Sequence, residues 1–300
     1  MTKILHRIPA RPASDGAGVK IKRVVPMGDY GVMDPFLMLD EIRSETGSDY
    51  AAGFPSHPHR GFETVTYMRQ GQLEHRDHMG NQGVIQAGGA QWMTAGRGVI
   101  HSELPLQKDG AFHGFQLWLN LPADEKLRPA EYHNLEPADI PLVVSGSHRI
   151  HVLGGDWMAD GDRIAGPIRG RTTEPQLWDL ELNGTDPLTL RLDPALKTLL
   201  FVYEGQVRVG GEDGGKDGGE DVHAVQMISV QHEGAFQLRS TQQLQSDQQV
   251  QSNQQARVLL LAGRPLNEPV VQYGPFVMNT REQIEAAIQD YQLGTLTSRS

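Results

Sequence analysis

Residues 57–81 read HPHRGFETVTYMRQGQLEHRDHMGN, and this stretch decides the fold. Thr64, Val65, Thr66 and Tyr67 are β-branched or aromatic, a run that suits a pleated, half-buried surface. Gln70-Gly71 and Gly80-Asn81 punctuate it with turn residues, which predicts a β-meander between Phe62 and Gln86. Side chains two apart share a face of an extended chain, so His57 and His59 point the same way. His101-Ser102-Glu103 repeats that parity further along.

The same strand-and-turn texture extends in both directions. Phe112 to Leu121 is an apolar strand ending at Pro122, and a segment spaced by Pro129, Pro137 and Pro141 leads into Val143-Val144, predicting a domain junction near residue 140. Beyond it, Leu177 to Leu182, Leu188 to Leu192, Thr198 to Tyr203, Gly205 to Val209, Met227 to Val230 and Val258 to Leu261 read as further short strands. The expectation is an all-β protein of two similar domains, 1–140 and 141–300. Two segments lack the apolar content to offset their ordering entropy. One is the Gly-rich connector 210–221 (GGEDGGKDGGED), expected to be a mobile hairpin tip, and the other is the Gln-rich run 242–255. One helix is predicted at the C-terminal end, where Thr280 and Gln283 have capping-box spacing, Ile284, Ala287, Ile288 and Tyr291 share a face, and Gly294 supplies a stop.

Composition narrows the function. With 34 Gly and 18 Pro in 300 residues, a coiled coil or long helical bundle is excluded. A formal charge of −10 opposes direct nucleic-acid or anionic-membrane binding. The longest apolar runs are too short to span a bilayer and the first residues lack the apolar core of a signal peptide, so a cytoplasmic location is expected. The absence of cysteine removes disulfides, thiolate zinc sites and thiol nucleophiles. Any metal must be held by imidazole and carboxylate.

Six of the 12 histidines fall between His57 and His113. Two antiparallel strands, one carrying His57 and His59 and the other His101 and Glu103, would set three imidazoles and one carboxylate around a point. That donor set suits Fe(II), Cu(II), Ni(II) or Zn(II) and leaves room for solvent or substrate. Taken alone, each pair also fits ordinary hydrogen-bonded strand histidines. His75 and His78, three apart, are expected on opposite faces, one pocket-lining or structural and the other exposed. Trp92, Trp118, Phe36 and Phe62 are expected mainly in the core, with an aromatic-binding pocket as the alternative, and Arg60 is expected to be exposed and without a role.

The spacing Gly53-xxx-His57-x-His59-xxx-Glu63, followed by Gly89, Gly96 and His101, resembles the two motifs of the cupin superfamily. The run 57–81 together with QWMTAGRGVIHSE (91–103), QLWLNLP (116–122), PFLMLDE (35–41) and GPFVMNTREQI (274–284) resembles the pirin family more specifically. The resemblance implies a bicupin of two antiparallel β-barrels with a short C-terminal helix. It implies one metal in the N-terminal barrel, usually iron, with Mn, Co, Ni, Cu or Zn as alternatives, and none in the C-terminal barrel. Carried over by position, the ligands are His57, His59, His101 and Glu103, with Glu63 as an inner hydrogen-bonding or acid/base group. The implied activity is that of a quercetin 2,3-dioxygenase, a quercetinase that opens a flavonol with O2 and releases carbon monoxide, with Glu103 or Glu63 as base. Its partners would be a small aromatic or enolic substrate and O2, and the chain is expected to act as a monomer. The alternative is a non-enzymatic metal- or redox-dependent regulator that binds a protein partner.

Overall fold

The computed structural model describes residues 2–26, 28–159, 161–184, 186–210, 218–241 and 255–298. It divides into two compact units, one of residues 11–139 with 266–300, the other of residues 1–10 with 140–265. The division near 140 thus comes with exchanged ends. The strand Lys3–Pro9 pairs with Gln226–Gln231, while the C-terminal segment belongs to the unit that carries the histidines. The expectation of contiguous halves at 1–140 and 141–300 differs from this at both ends, because strand pairing and helix packing at the termini are set by contacts that local sequence does not encode. Most of the 210–221 connector and of the 242–255 run lies outside the described residues.

Each unit contains a seven-stranded and a four-stranded antiparallel sheet. In the histidine unit the larger sheet runs Glu131–Leu135, Ala90–Thr94, Phe62–Gln70, Phe112–Asn120, Phe36–Ser44, Val19–Val24, Arg11–Asp15, and the smaller runs Phe54–His59, Val99–Pro105, Leu73–Asp77, Gln82–Ile85. The expected meander from Phe62 to Gln86 is therefore split between sheets. Phe62–Gln70 pairs with Phe112–Asn120 and Ala90–Thr94, and after Gly71 the chain crosses to the smaller sheet. Gly71 has φ +84°, and a Cβ there would meet Phe112 at 2.8 Å.

The interior of the larger sheet is organised in rows. Thr64, Trp118 and Met38 lie opposite one another, then Thr66, Gln116, Asp40 and Arg23, then Met68, Gly114 and Ile42. The last row joins the buried apolar cluster with Tyr50, Leu73 and Phe112. The first two rows bring polar side chains inward.

The second unit repeats the arrangement with other residues. Its smaller sheet runs Leu188–Arg191, Ala235–Ser240, Gln206–Gly210, Glu220–His223, the same strand order. Where His57 pairs with His101 in the first unit, Leu190 pairs with Phe236 and Leu188 with Leu238 in the second, all four buried in one apolar core. Hydrocarbon side chains offer a cation no lone pairs, so this strand pair does not repeat the ligand chemistry of the first.

The helix Arg281–Gln292 begins with the anticipated capping box, Gln283 N donating to Thr280 Oγ1 and Thr280 N to Gln283 Oε1. Ile284 and Ala287 bury against Phe276, Met278 and Leu296, with Ile100 packed alongside. The helix therefore covers the outer face of the strand whose inner face carries His101. No helix among the described residues is long and apolar enough to cross a membrane.

Candidate metal centre

His57 and His59 end one edge strand of the smaller sheet, and Val99–Pro105 pairs with it so that His101 lies opposite His57. One ring nitrogen from each of the three histidines lies within 4.8 Å of the others. His57 Nε2 and His59 Nε2 are 3.1 Å apart. Two nitrogens bonded to one divalent ion at about 2.1 Å and near right angles stand about 3.0 Å apart, so this spacing fits a ligand pair.

The tautomers fit as well. His57 Nδ1 is 2.8 Å from Pro55 O, which can only accept, so Nδ1 carries the proton and Nε2 keeps its lone pair. His101 Nδ1 is 2.7 Å from His75 Nε2, while His101 Nε2 is buried with no hydrogen-bond partner among the described residues. If His101 donates from Nδ1, its orphaned Nε2 is a free donor for a cation. Burial holds His59 and His101 well below the ordinary histidine pKa, with neighbouring imidazoles adding to the effect, and burial also lowers His57. All three are neutral near pH 7, the form that ligates.

Glu103 is buried, and burial pushes its pKa up to about 7 against the opposing hydrogen bond from Thr66. It stands outside the tight imidazole group yet lines the same cavity of about 710 Å³ as His57 and His59. Met38, Phe54 and Trp118 supply apolar wall, and Gln116, Arg23, Asp40 and the Tyr30–Gln272 pair supply polar wall. Trp118 also meets His59 edge-on at 5.4 Å. Arg23 donates to both oxygens of Asp40, at 2.8 and 2.6 Å, and also to Asp15.

Glu63, implied by the resemblance to be an inner hydrogen-bonding or acid/base group, does not share the inward face of His57 and His59. The chain bends at Gly61, whose φ is +89°, so the alternation of His57 and His59 does not carry through to residue 63. Glu63 pairs with Leu119 and Thr94, on the face opposite Thr64 and Trp118, and accepts a hydrogen bond from Thr94 Oγ1 at 2.6 Å. It is absent from the cavity wall.

Comparison with known proteins agrees with this geometry. Residues 18–119 match the pirin family model, and residues 177–297 match the pirin C-terminal cupin domain. A Pseudomonas aeruginosa protein named as a candidate quercetin 2,3-dioxygenase is 46% identical, over 98% of this chain and 97% of its own. The chain belongs to the pirin family. The pirin fold is seen in a quercetin 2,3-dioxygenase structure from Acinetobacter baumannii, with TM-score 0.83, 31% identity and coverage of 99% of this chain and 98% of that one. A bacterial pirin from Escherichia coli, solved with nickel(II), shares the fold at TM-score 0.60 and 19% identity, covering 88% of this chain and all of that one.

In this pirin His75 and His78 divide as expected into one structural and one exposed residue, whereas Arg60 has a role that local sequence reading missed. His75 is buried against His101, whereas His78 is exposed. The alternation Leu73, His75, Asp77 was the available signal, since it puts His75 on the same inward face as buried Leu73. Arg60 is 7% exposed rather than free in solvent. It donates to Asp290 Oδ2 at 2.7 Å, to Leu296 O and to Arg97 O, tying the end of the histidine strand to the C-terminal segment. Lys126 adds to the junction, donating to Gly61 O, Asn120 Oδ1 and Val277 O. Trp92, Phe36 and Phe62 are core, and of the four aromatics considered only Trp118 lines the cavity.

Proposed function

We propose that this pirin is a metal-dependent dioxygenase that opens a flavonol such as quercetin with O2 and releases carbon monoxide. The observation that carries this reading is one cavity, large enough for a polycyclic phenol, that joins His57, His59 and Glu103 to an aromatic and polar wall. His57, His59, His101 and Glu103 form the proposed ligand set. Fe(II) is the first candidate for it, and the donor chemistry also admits Mn, Co, Ni, Cu or Zn. When bound, the ion supplies Lewis acidity toward an enolic oxygen and holds it beside O2.

The chain's own residues do the rest. Trp118, Phe54 and Met38 offer a flat apolar slot for the aromatic rings and exclude water from the reacting carbons. Glu103 is the carboxylate that faces the substrate, and a pKa near neutrality suits it to take the hydroxyl proton. Glu63, on the other face of its sheet, is left with a structural role. The flavonol supplies the electrons that reduce O2, so the reaction draws on no external reductant.

The test is oxygen uptake together with carbon monoxide release by iron-loaded protein, across several flavonols. Both should appear with at least one flavonol and vanish after chelation. If no flavonol supports uptake with any of the candidate metals, the dioxygenase reading is overturned in favour of the regulator.

A further inference from the structure

Thr66 bridges two residues of the cavity wall, Glu103 and Gln116. Its Oγ1 lies 3.0 Å from Glu103 Oε1 and 2.6 Å from the side-chain amide oxygen of Gln116. Thr66 and Glu103 are both buried. A hydroxyl has one proton to give and lone pairs to receive with. It cannot donate to both oxygens, and a buried oxygen–oxygen contact without a proton between them is repulsive. A carboxylate turned toward a divalent cation is anionic and can only accept, so the Thr66 proton belongs to Glu103. The remaining short contact then needs a donor on Gln116. Half a turn of the amide supplies one without changing its shape. Asp40, directly opposite Gln116, has both oxygens bonded to Arg23 and does not require the amide N–H.

We infer that Gln116 points Nε2 at Thr66, so that a one-way chain from Gln116 N–H through Thr66 O–H to Glu103 fixes the carboxylate and leaves the Gln116 carbonyl oxygen at the cavity wall to accept a substrate hydroxyl. Thr66 and Gln116 are thus positioning residues that act through Glu103. The inference rests on the reading of Glu103 as the carboxylate that faces the metal.

Co(II) is the probe, read by chelator competition for affinity and by its d–d absorption for geometry, with thermal melting as a check on folding. Thr66→Val should weaken Co(II) binding about tenfold or more and shift the d–d bands. Thr66→Ser should restore both. In a Glu103→Gln background Thr66→Val should have no further effect, since its route is gone. Gln116→Met should shift the bands in the same direction as Thr66→Val. An unchanged Glu103→Gln spectrum and affinity overturns the metal-facing reading of Glu103, and this inference with it. If Glu103→Gln changes both but Thr66→Val changes neither, or if the Thr66→Val effect persists in the double variant, the positioning role alone is overturned. A silent Gln116→Met beside an active Thr66→Val overturns the amide orientation.

Discussion

His75 Nε2 stands 2.7 Å from His101 Nδ1, and both rings are buried. Burial lowers the His75 pKa to about 4, so at neutral pH its ring is uncharged, and with its proton on Nδ1 its Nε2 accepts the His101 Nδ1 proton. In that arrangement His101 Nε2, which has no hydrogen-bond partner among the described residues, is free to ligate. His75→Phe keeps a planar ring and removes the acceptor. Its metal affinity should fall about tenfold to a hundredfold with little change in melting temperature. Chelator competition beside thermal melting checks this, and an unchanged affinity would show that His101 needs no outer partner.

Metal affinity should depend on pH through Glu103. Its folded pKa is raised from 4.5 to about 7, so in the metal-free protein the protonated form is the favoured one below neutrality. Binding must then expel that proton, and affinity should fall by up to about tenfold per pH unit below 7 while levelling off above it. The histidines, lowered by burial, add no comparable cost near neutrality. Zn(II) affinity measured by chelator competition should be about tenfold weaker at pH 6 than at pH 8. A flat profile across that range would remove Glu103 from the ligand set.

Local periodicity was enough to place the three histidines, because two-residue alternation within one strand is a property of the chain itself. The capping box at Thr280 was legible for the same reason. Glu63 was not, because Gly61 bends the chain between it and His59 and breaks the alternation. Thr66 and Gln116 meet Glu103 only through cross-strand register and the approach of one sheet to the other. Arg60 finds Asp290 across 230 positions of sequence. Apolar Leu188, Leu190, Phe236 and Leu238 could be read as strand residues, but that their two paired strands correspond to the pair carrying His57, His59, His101 and Glu103 required the duplicated strand order.

The Arg60 junction should be separable from the metal chemistry. Arg60→Met keeps the apolar stem and removes the guanidinium from Asp290, Leu296 O and Arg97 O. Asp290 is partly exposed, so the freed carboxylate can rehydrate, and the expected loss is about 2 kcal/mol, below that for a fully buried pair. Denaturant unfolding should register this loss while metal content at 25 °C stays at the wild-type level. Loss of metal without loss of stability would mean that Arg60 acts on the site directly.

The two carboxylates should divide sharply when each is made an amide. Glu103 lines the cavity beside His57 and His59, whereas Glu63 is turned to the opposite face and held by Thr94. A neutral amide oxygen is a weaker donor to a divalent cation than a carboxylate, and it cannot accept the proton of an enolic hydroxyl. Glu103→Gln should therefore bind metal at least tenfold more weakly and, when saturated with metal, turn over a flavonol about a hundredfold or more slowly. Glu63→Gln should retain metal and keep turnover within a few-fold of wild type. Its cost should be in stability, about 1 kcal/mol for a weakened hydrogen bond to Thr94. Metal content, oxygen uptake and denaturant unfolding measured on both variants decide the matter. Metal loss from Glu63→Gln with retention by Glu103→Gln would reverse the assignment, because it would require Glu63 to reach the imidazole group from the far side of its sheet.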